Sequence, residues 1–249
     1  MHEELNILQQ WLDESSGLLF FSGMGVSMDS GIPDFRKMEP DHMAQYGLPP
    51  EALFSRAVYE RRAAPFFRYY RDRVLAPLLT AEPNATHHKL VELEEAGKLR
   101  RILTANMDDL HQEAGSKKVI ELYGSVMRNN CRNCERRYSA LDIYEAPGIP
   151  YCDVDMCGLV IGPEIYLYGD PLDKDMLTEA IFQLLSCDLL IIAGTGLLEY
   201  PAAAIVHLYH GRKMVLINPE PTELEERANL VIHAPIHEVM AALKVNPKE

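Results

Sequence analysis

The sequence predicts an α/β fold: a Rossmann-like parallel sheet with an inserted helical module and a small zinc-ribbon module. Three observations carry this. Short, wholly apolar runs alternate with helix-patterned stretches, the rhythm of a doubly wound sheet. That rhythm breaks twice, over an aromatic- and arginine-rich segment and over a polar segment bracketed by paired cysteines. At 249 residues and 47% hydrophobic, the chain can bury a sizeable core and still carry insertions.

From Glu4 to Leu12, the residues Leu5, Leu8, Trp11 and Leu12 recur at helical spacing, and "GLLFFSG" then reads as a buried parallel strand ending in a turn. The runs "RILTAN", "VIEL", "LVIGPEIYLYG", "DLLIIAGTG" and "KMVLINPE" read as further strands of the same sheet. Helical stretches such as "THHKLVELEEAG" and "PAAAIVHLYHG" separate them. Between Arg36 and Pro83 no strand-like run occurs, only helical material such as "APFFRYYRDRV". Between Ser125 and Cys157 the chain turns polar. The expected division is a Rossmann-like NAD-binding domain over 1–35, 86–126 and 158–249, a helical insertion over 36–85 and a zinc-binding module over 127–157.

A formal net charge of -13 opposes phosphate backbones, so no direct nucleic-acid partner is expected, and an acidic surface suits a cationic partner such as a lysine-bearing tail. The opening "MHEELNILQQWLDESS" lacks a basic n-region and an apolar h-region, and no later run approaches the roughly 18 apolar residues of a membrane span. A cytoplasmic protein with no membrane partner is expected. Five cysteines without a secretion signal point to metal or reactive thiols rather than disulfides.

In an open parallel sheet, ligands bind beyond the carboxyl ends of the strands. After the first strand, Gly23 and Gly25 would let backbone approach a phosphate, although the third glycine of the usual fingerprint falls at Met28. After the second, Asn106 and Asp108 offer an amide and a carboxylate to sugar hydroxyls. Gly194 to Gly196 repeats a phosphate-friendly turn, and Asn218 and Glu220 suit ribose hydroxyls.

The cysteines form CxxC, 17 intervening residues, then CxxxxC: Cys131, Cys134, Cys152 and Cys157. This is close to zinc-ribbon spacing and leaves no open coordination position for catalysis. The fifth, Cys187, adjoins an apolar strand and reads as a core residue.

Several of these stretches resemble the sirtuin (Sir2-like) family of NAD-dependent protein deacylases. "GMGVSMDSGIPDFR" is similar to GAGxSxxSGIPxFR, "TANMDDLHQEAG" to TQNIDxLHxxAG, and "ELYGSVMRNNCRNC" to ELHGSxxxxxCxxC. The likeness continues through "YLYGD", "GTGLLEYP" and "INPE", in the expected order along nearly the whole chain. It implies that Gly23, Gly25, Asp34, Phe35 and Arg36 line the pyrophosphate and nicotinamide-ribose region of NAD. It implies further that Asn106 and Asp108 hold the nicotinamide end, that Thr195, Asn218 and Glu220 face the adenosine half, and that Gly194 contacts the cofactor. "IYLYG" and "LLEYP" resemble segments that clamp an extended acyl-lysine peptide. Some members recognise acidic acyl groups through a tyrosine and an arginine in the helical insertion. Tyr69, Tyr70, Arg71 and Arg73 crowd that region here, and no acyl preference is assigned to them.

The sequence departs from the family pattern at Ala105, Gly162 and Gly196, where glutamine, arginine and serine are usual, and above all at Tyr123. The resemblance implies that position 123 carries the catalytic histidine, a base acting on a ribose hydroxyl. Imidazole accepts a proton near neutral pH, whereas a phenol with a pKa of about 10 is a poor acceptor there. The expected activity is therefore NAD-dependent protein-lysine deacylation, with acyl transfer to ADP-ribose and nicotinamide release, impaired at Tyr123. ADP-ribosyl transfer or NAD hydrolysis, and a non-catalytic NAD or acyl-peptide sensor, are the alternatives.

Overall fold

The computed structural model describes residues 2–196, 200–211 and 213–246. Leu197, Leu198 and Glu199, three of the five residues of the expected "LLEYP" clamp, lie outside the described residues. The described strands are β1 (Leu18–Ser22), β2 (Leu99–Thr104), β3 (Val119–Glu121), β4 (Gly124–Cys131), β5 (Arg137–Ser139), β6 (Ile161–Ile165), β7 (Leu189–Ala193), β8 (Met214–Ile217) and β9 (Leu230–Ile232).

Six of them form one sheet in the order β3-β2-β1-β7-β8-β9, and each neighbouring pair is parallel. The chain winds outward from β1 through β2 to β3, then restarts at β7 on the other side of β1. That reversal is the topological switch point, where the loops beyond adjacent strands diverge and leave a crevice. Every residue of β1, β7 and β8 is buried, which is why these strands read as unbroken apolar runs. The period of two then sorts their side chains. Leu18 and Phe20 join the core beneath the helices His2–Glu14, Ala85–Glu95 and Ile236–Ala242, while Leu19 and Phe21 join the one beneath Lys174–Leu185 and Ala202–His207.

Helix starts are fixed by caps that satisfy otherwise unpaired amides. The Asp173 carboxylate accepts from the amides of Asp175 and Met176. The Asn84 side chain accepts from the Thr86 amide at 2.9 Å, while its own amide group donates to the Val26 carbonyl at 2.8 Å. This second cap ties the helix Ala85–Glu95 to the loop after β1.

The run "LVIGPEIYLYG" does form a strand, but not in the parallel sheet. Its β6 pairs antiparallel with β4, which pairs with β5, in a separate sheet of order β5-β4-β6. An apolar run marks burial and carries no information about partner or direction. β4 escapes sequence reading because its "GSVMRNNC" alternates buried Val126 and Asn129 with exposed Arg128.

The two insertions share one core. Leu53, Phe54, Phe66, Phe67 and Tyr70 pack in a single cluster with Cys131, Ile143, Cys152 and Ile165. The Phe66 and Tyr70 rings stack with centroids 5.5 Å apart. The helix Ala63–Tyr69 continues into a wide π-helical turn, Tyr70–Leu75, from which the Arg71 guanidinium donates to the Ile143 carbonyl at 2.8 Å. Tyr70 donates to the Val126 carbonyl at 3.1 Å. Among the described residues, no helix is long and apolar enough to cross a membrane.

Candidate functional site

The loops after β1 and β7 meet at the switch point. The Gly25 amide donates to the Gly194 carbonyl at 2.8 Å, and the Gly23 amide to the Ala193 carbonyl at 2.9 Å. A Cβ on Gly23 would lie 2.4 Å from the Thr195 Cβ, and one on Gly25 2.6 Å from the Gly194 Cα. Gly194 itself has φ +69°, where a side chain is strained. Glycine at 23 and 25 has a packing reason of its own: each lets one loop pass against the other. Gly25→Ala is predicted to cost about 1–3 kcal/mol through overpacking against backbone. The check is a urea melt, in which an unshifted midpoint would count against this packing.

Beyond β2, Asn106 and Asp108 are buried. The Asn106 amide donates to the Gly23 carbonyl at 3.0 Å and to the Ser27 hydroxyl at 2.7 Å, and Ser27 donates to the Asp108 carboxylate at 2.5 Å. Burial pushes the Asp108 carboxyl up, against the hydrogen bonds from Ser27 and the Leu110 amide. These bonds orient the Asn106 amide, whose Oδ1 is buried without a partner. Asp108 stands behind Ser27 and Asn106 and lines neither of the cavities described next.

Two adjoining cavities occupy the crevice. The first, of about 220 Å³, is lined by Gly23, Phe35, Arg36, Asn106, Tyr123 and Thr195 among others. The second, of about 620 Å³, is lined by Gly25, Asp34, Arg36, Tyr123, Gly194, Thr195, Asn218 and Glu220 among others. Arg36, Tyr123 and Thr195 therefore lie where they join. The Asp34 carboxylate accepts from the Arg36 side chain at 3.0 Å, and Asn218 donates to the Glu220 carbonyl at 2.6 Å. Tyr166, Tyr168 and Tyr200 also line the first cavity, and the sequence reading assigned them no individual role. Tyr69, Tyr70, Arg71 and Arg73 do not line it. The unpaired Asn106 acceptor, the carboxylate of Glu220 and the two joined cavities fit NAD.

Tyr123 lies between β3 and β4, and its phenol donates to the Tyr200 carbonyl at 3.1 Å. Among the described residues, no histidine lines either cavity. Two histidines lie buried behind the site: the His111 Nε2 is 2.9 Å from the Ser22 hydroxyl, and the His87 ring centroid lies 4.7 Å from that of His111. The Asn84 backbone N–H donates to His87 Nδ1 at 3.1 Å.

Burial, reinforced by His88, pushes the His87 imidazole down to about 4, and burial pushes His111 down as well. An unfolded histidine titrates near 6.5, so between that pH and about 4 the unfolded chain binds a proton the fold excludes. This contribution is fully present above pH 6.5 and falls as pH drops through that window. At about 1.4 kcal/mol per pH unit, the loss from pH 6.5 to 5 is about 2 kcal/mol for His87. Urea midpoints at pH 7.5 and 5 test it: the drop should shrink in His87→Gln, and an identical drop would contradict it.

The cysteine sulfurs of Cys131, Cys134, Cys152 and Cys157 all lie within 4.8 Å of one another. Tetrahedral zinc with bonds of about 2.3 Å holds its sulfurs about 3.8 Å apart, so the set fits a structural zinc with every position filled by sulfur. Positive φ at Glu135 and Met156, 59° and 60°, closes the two turns that present the pairs. Tyr138 donates to the Cys152 sulfur at 3.2 Å, the kind of outer contact that orients a thiolate ligand. Bound zinc would cross-link the two turns. Cys187 is buried in the core, where burial pushes its thiol up to about 12.

Fold and site together define a doubly wound dinucleotide-binding protein with a closed four-cysteine metal site. The model of the Sir2 family matches residues 23–201, and the chain belongs to that family. It is 42% identical over 239 residues to an NAD-dependent protein deacetylase of Cutibacterium acnes, covering 95% of this chain and 96% of that one. An NAD-dependent protein deacetylase of Clostridium perfringens is 40% identical over 243 residues, covering 96% and 98%. A solved Sir2 structure with a p53 peptide and NAD+ superposes with a TM-score of 0.82 at 33% identity, covering 95% of each chain.

Proposed function

We propose that the protein is an NAD-dependent protein-lysine deacylase of the Sir2 type, acting in the cytoplasm, whose acyl-transfer step is slowed by Tyr123. The observation that carries this is the phenol at the junction of the two cavities, donating its proton to the Tyr200 carbonyl. In this reading, 1–35, 86–126 and 158–249 form the NAD-binding domain, 36–85 is a helical insertion, and 127–157 holds zinc through Cys131, Cys134, Cys152 and Cys157.

Gly23, Gly25, Asp34, Phe35 and Arg36 line the pyrophosphate and nicotinamide-ribose region, and Gly194, Thr195, Asn218 and Glu220 the adenosine half. Asn106 presents its unpaired Oδ1 to the nicotinamide ribose, and Asp108 acts through Ser27 to fix that orientation. Bound NAD supplies the ADP-ribose that accepts the acyl group. The acyl-lysine enters beside Tyr166, Tyr168 and Tyr200. A donor at position 123 leaves these binding contacts in place while removing the base, which also favours a second reading, an NAD or acyl-peptide sensor. Peptide-independent nicotinamide release would instead mark an ADP-ribosyltransferase or NAD hydrolase.

The test measures NAD-induced stabilisation together with nicotinamide release, with and without an acetyl-lysine peptide. A melting temperature raised by millimolar NAD, with release that needs the peptide, is expected. No stabilisation by NAD or ADP-ribose would sink all three readings.

A further inference from the structure

A third cavity, of about 660 Å³, lies on the zinc-module side of the first and shares Tyr166 and Asp170 with it. Three arginines line it, Arg56, Arg128 and Arg132, with Glu135, Glu164 and Asp170. Most of these charges are already matched. Arg128 meets Glu164 at 3.2 Å, Asp109 at 3.4 Å and also Glu121, while Arg56 grips both oxygens of Asp170 at 2.6 Å.

Two features are left over. The second terminal nitrogen of Arg56 is buried without a hydrogen-bond partner. Arg132, exposed, makes no ion pair with any described residue and lies over the Tyr59 ring at 5.6 Å, the same ring that Arg56 covers at 5.1 Å. Tyr59 can sit there because position 162 is glycine: a Cβ would meet the Tyr59 hydroxyl at 2.3 Å. The Asp170 carboxylate answers the Arg56 charge, so of the two guanidiniums on this ring Arg132 is the one left without an ion-pair partner among the described residues. Around them, "RNNCRNCERR" carries four arginines against one glutamate, a basic stretch in a chain of net charge -13.

We propose that this third cavity receives the carboxylate of an aspartate or glutamate that flanks the acylated lysine in the substrate protein, with Arg132 as its main contact. The inference rests on the deacylase reading, which brings the lysine into the adjoining first cavity. The carboxylate must approach against the field of the whole protein, so the pocket acts as a local selector rather than a steering device. Glu135, on the same rim, disfavours a second acidic group.

Anisotropy titrations of the zinc-loaded full chain with acetyl-lysine peptides carrying glutamate, glutamine or lysine beside the modified residue test this. The glutamate peptide is expected to bind about tenfold more tightly than the glutamine peptide, the strength of one charged hydrogen bond. The margin should shrink at high salt. Arg132→Ala should erase it and leave the glutamine peptide unchanged, and Arg132→Glu should favour the lysine peptide. Equal binding of the first two peptides to the unaltered protein, or an Arg132→Ala loss shared by both, would overturn this inference alone. If none of the peptides binds, the deacylase reading falls with it.

Discussion

Tyr123→His is expected to raise the rate of acyl transfer to ADP-ribose by about 10² to 10⁴, the usual worth of a positioned general base. A phenol with a pKa of about 10 holds its proton at neutral pH, and here it donates that proton to the Tyr200 carbonyl. An imidazole at the same position would lie where the cavities join, beside Arg36 and Thr195, and could accept a proton from a ribose hydroxyl. Its rate should climb with pH through about 6 to 7 as the ring deprotonates, a limb absent from the tyrosine protein. NAD affinity should change little, because the glycine loops and the Asn106–Ser27–Asp108 chain do not depend on residue 123. A histidine variant as slow as the tyrosine protein, yet binding NAD and peptide, would refute the missing-base explanation.

Cys131→Ser is expected to abolish zinc binding and lower the melting temperature by about 10 °C or more. Structural zinc sites contribute folding free energy directly, and at this chain length each kcal/mol moves the midpoint by about 2–4 °C. The effect should reach beyond the cysteines, since Cys131 and Cys152 lie in the same core as Phe54, Phe66 and Tyr70. Phe35, which lines the first cavity, packs on Phe54 with ring centroids 4.9 Å apart. Peptide binding should therefore fail before NAD binding, which draws on the two separate cores of the parallel sheet. Elemental analysis, calorimetry and the two titrations read these outcomes. A metal-free protein with unchanged melting would remove zinc from the account.

The sequence made the buried parts legible and the long-range ones obscure. Strands covered on both faces, such as "LLFFS" and "LLIIA", announce themselves because nearly every residue must be apolar. The half-covered β4 does not, and β6 could be recognised as a strand without revealing its partner. The cysteine spacing anticipated a compact sulfur cluster because coordination geometry constrains local turns. The glycine pattern marked the β1 loop, but its reason lies in the loop after β7, some 170 residues away. Ser27 shows the same limit. Its importance comes from Asp108 and Asn106, which only the folded sheet brings within reach. The resemblance supplied what periodicity could not, namely which strand-end groups to expect in one crevice.

Whether Tyr123 replaces the base of a deacylase is read by mass spectrometry of the products formed from NAD and an acetyl-lysine peptide, run in parallel on this protein and on Tyr123→His. Acetylated ADP-ribose formed only by the histidine variant, or formed by it at least a hundredfold faster, is the predicted result. If neither protein forms it while both bind NAD and peptide, the chain is not a deacylase lacking its base.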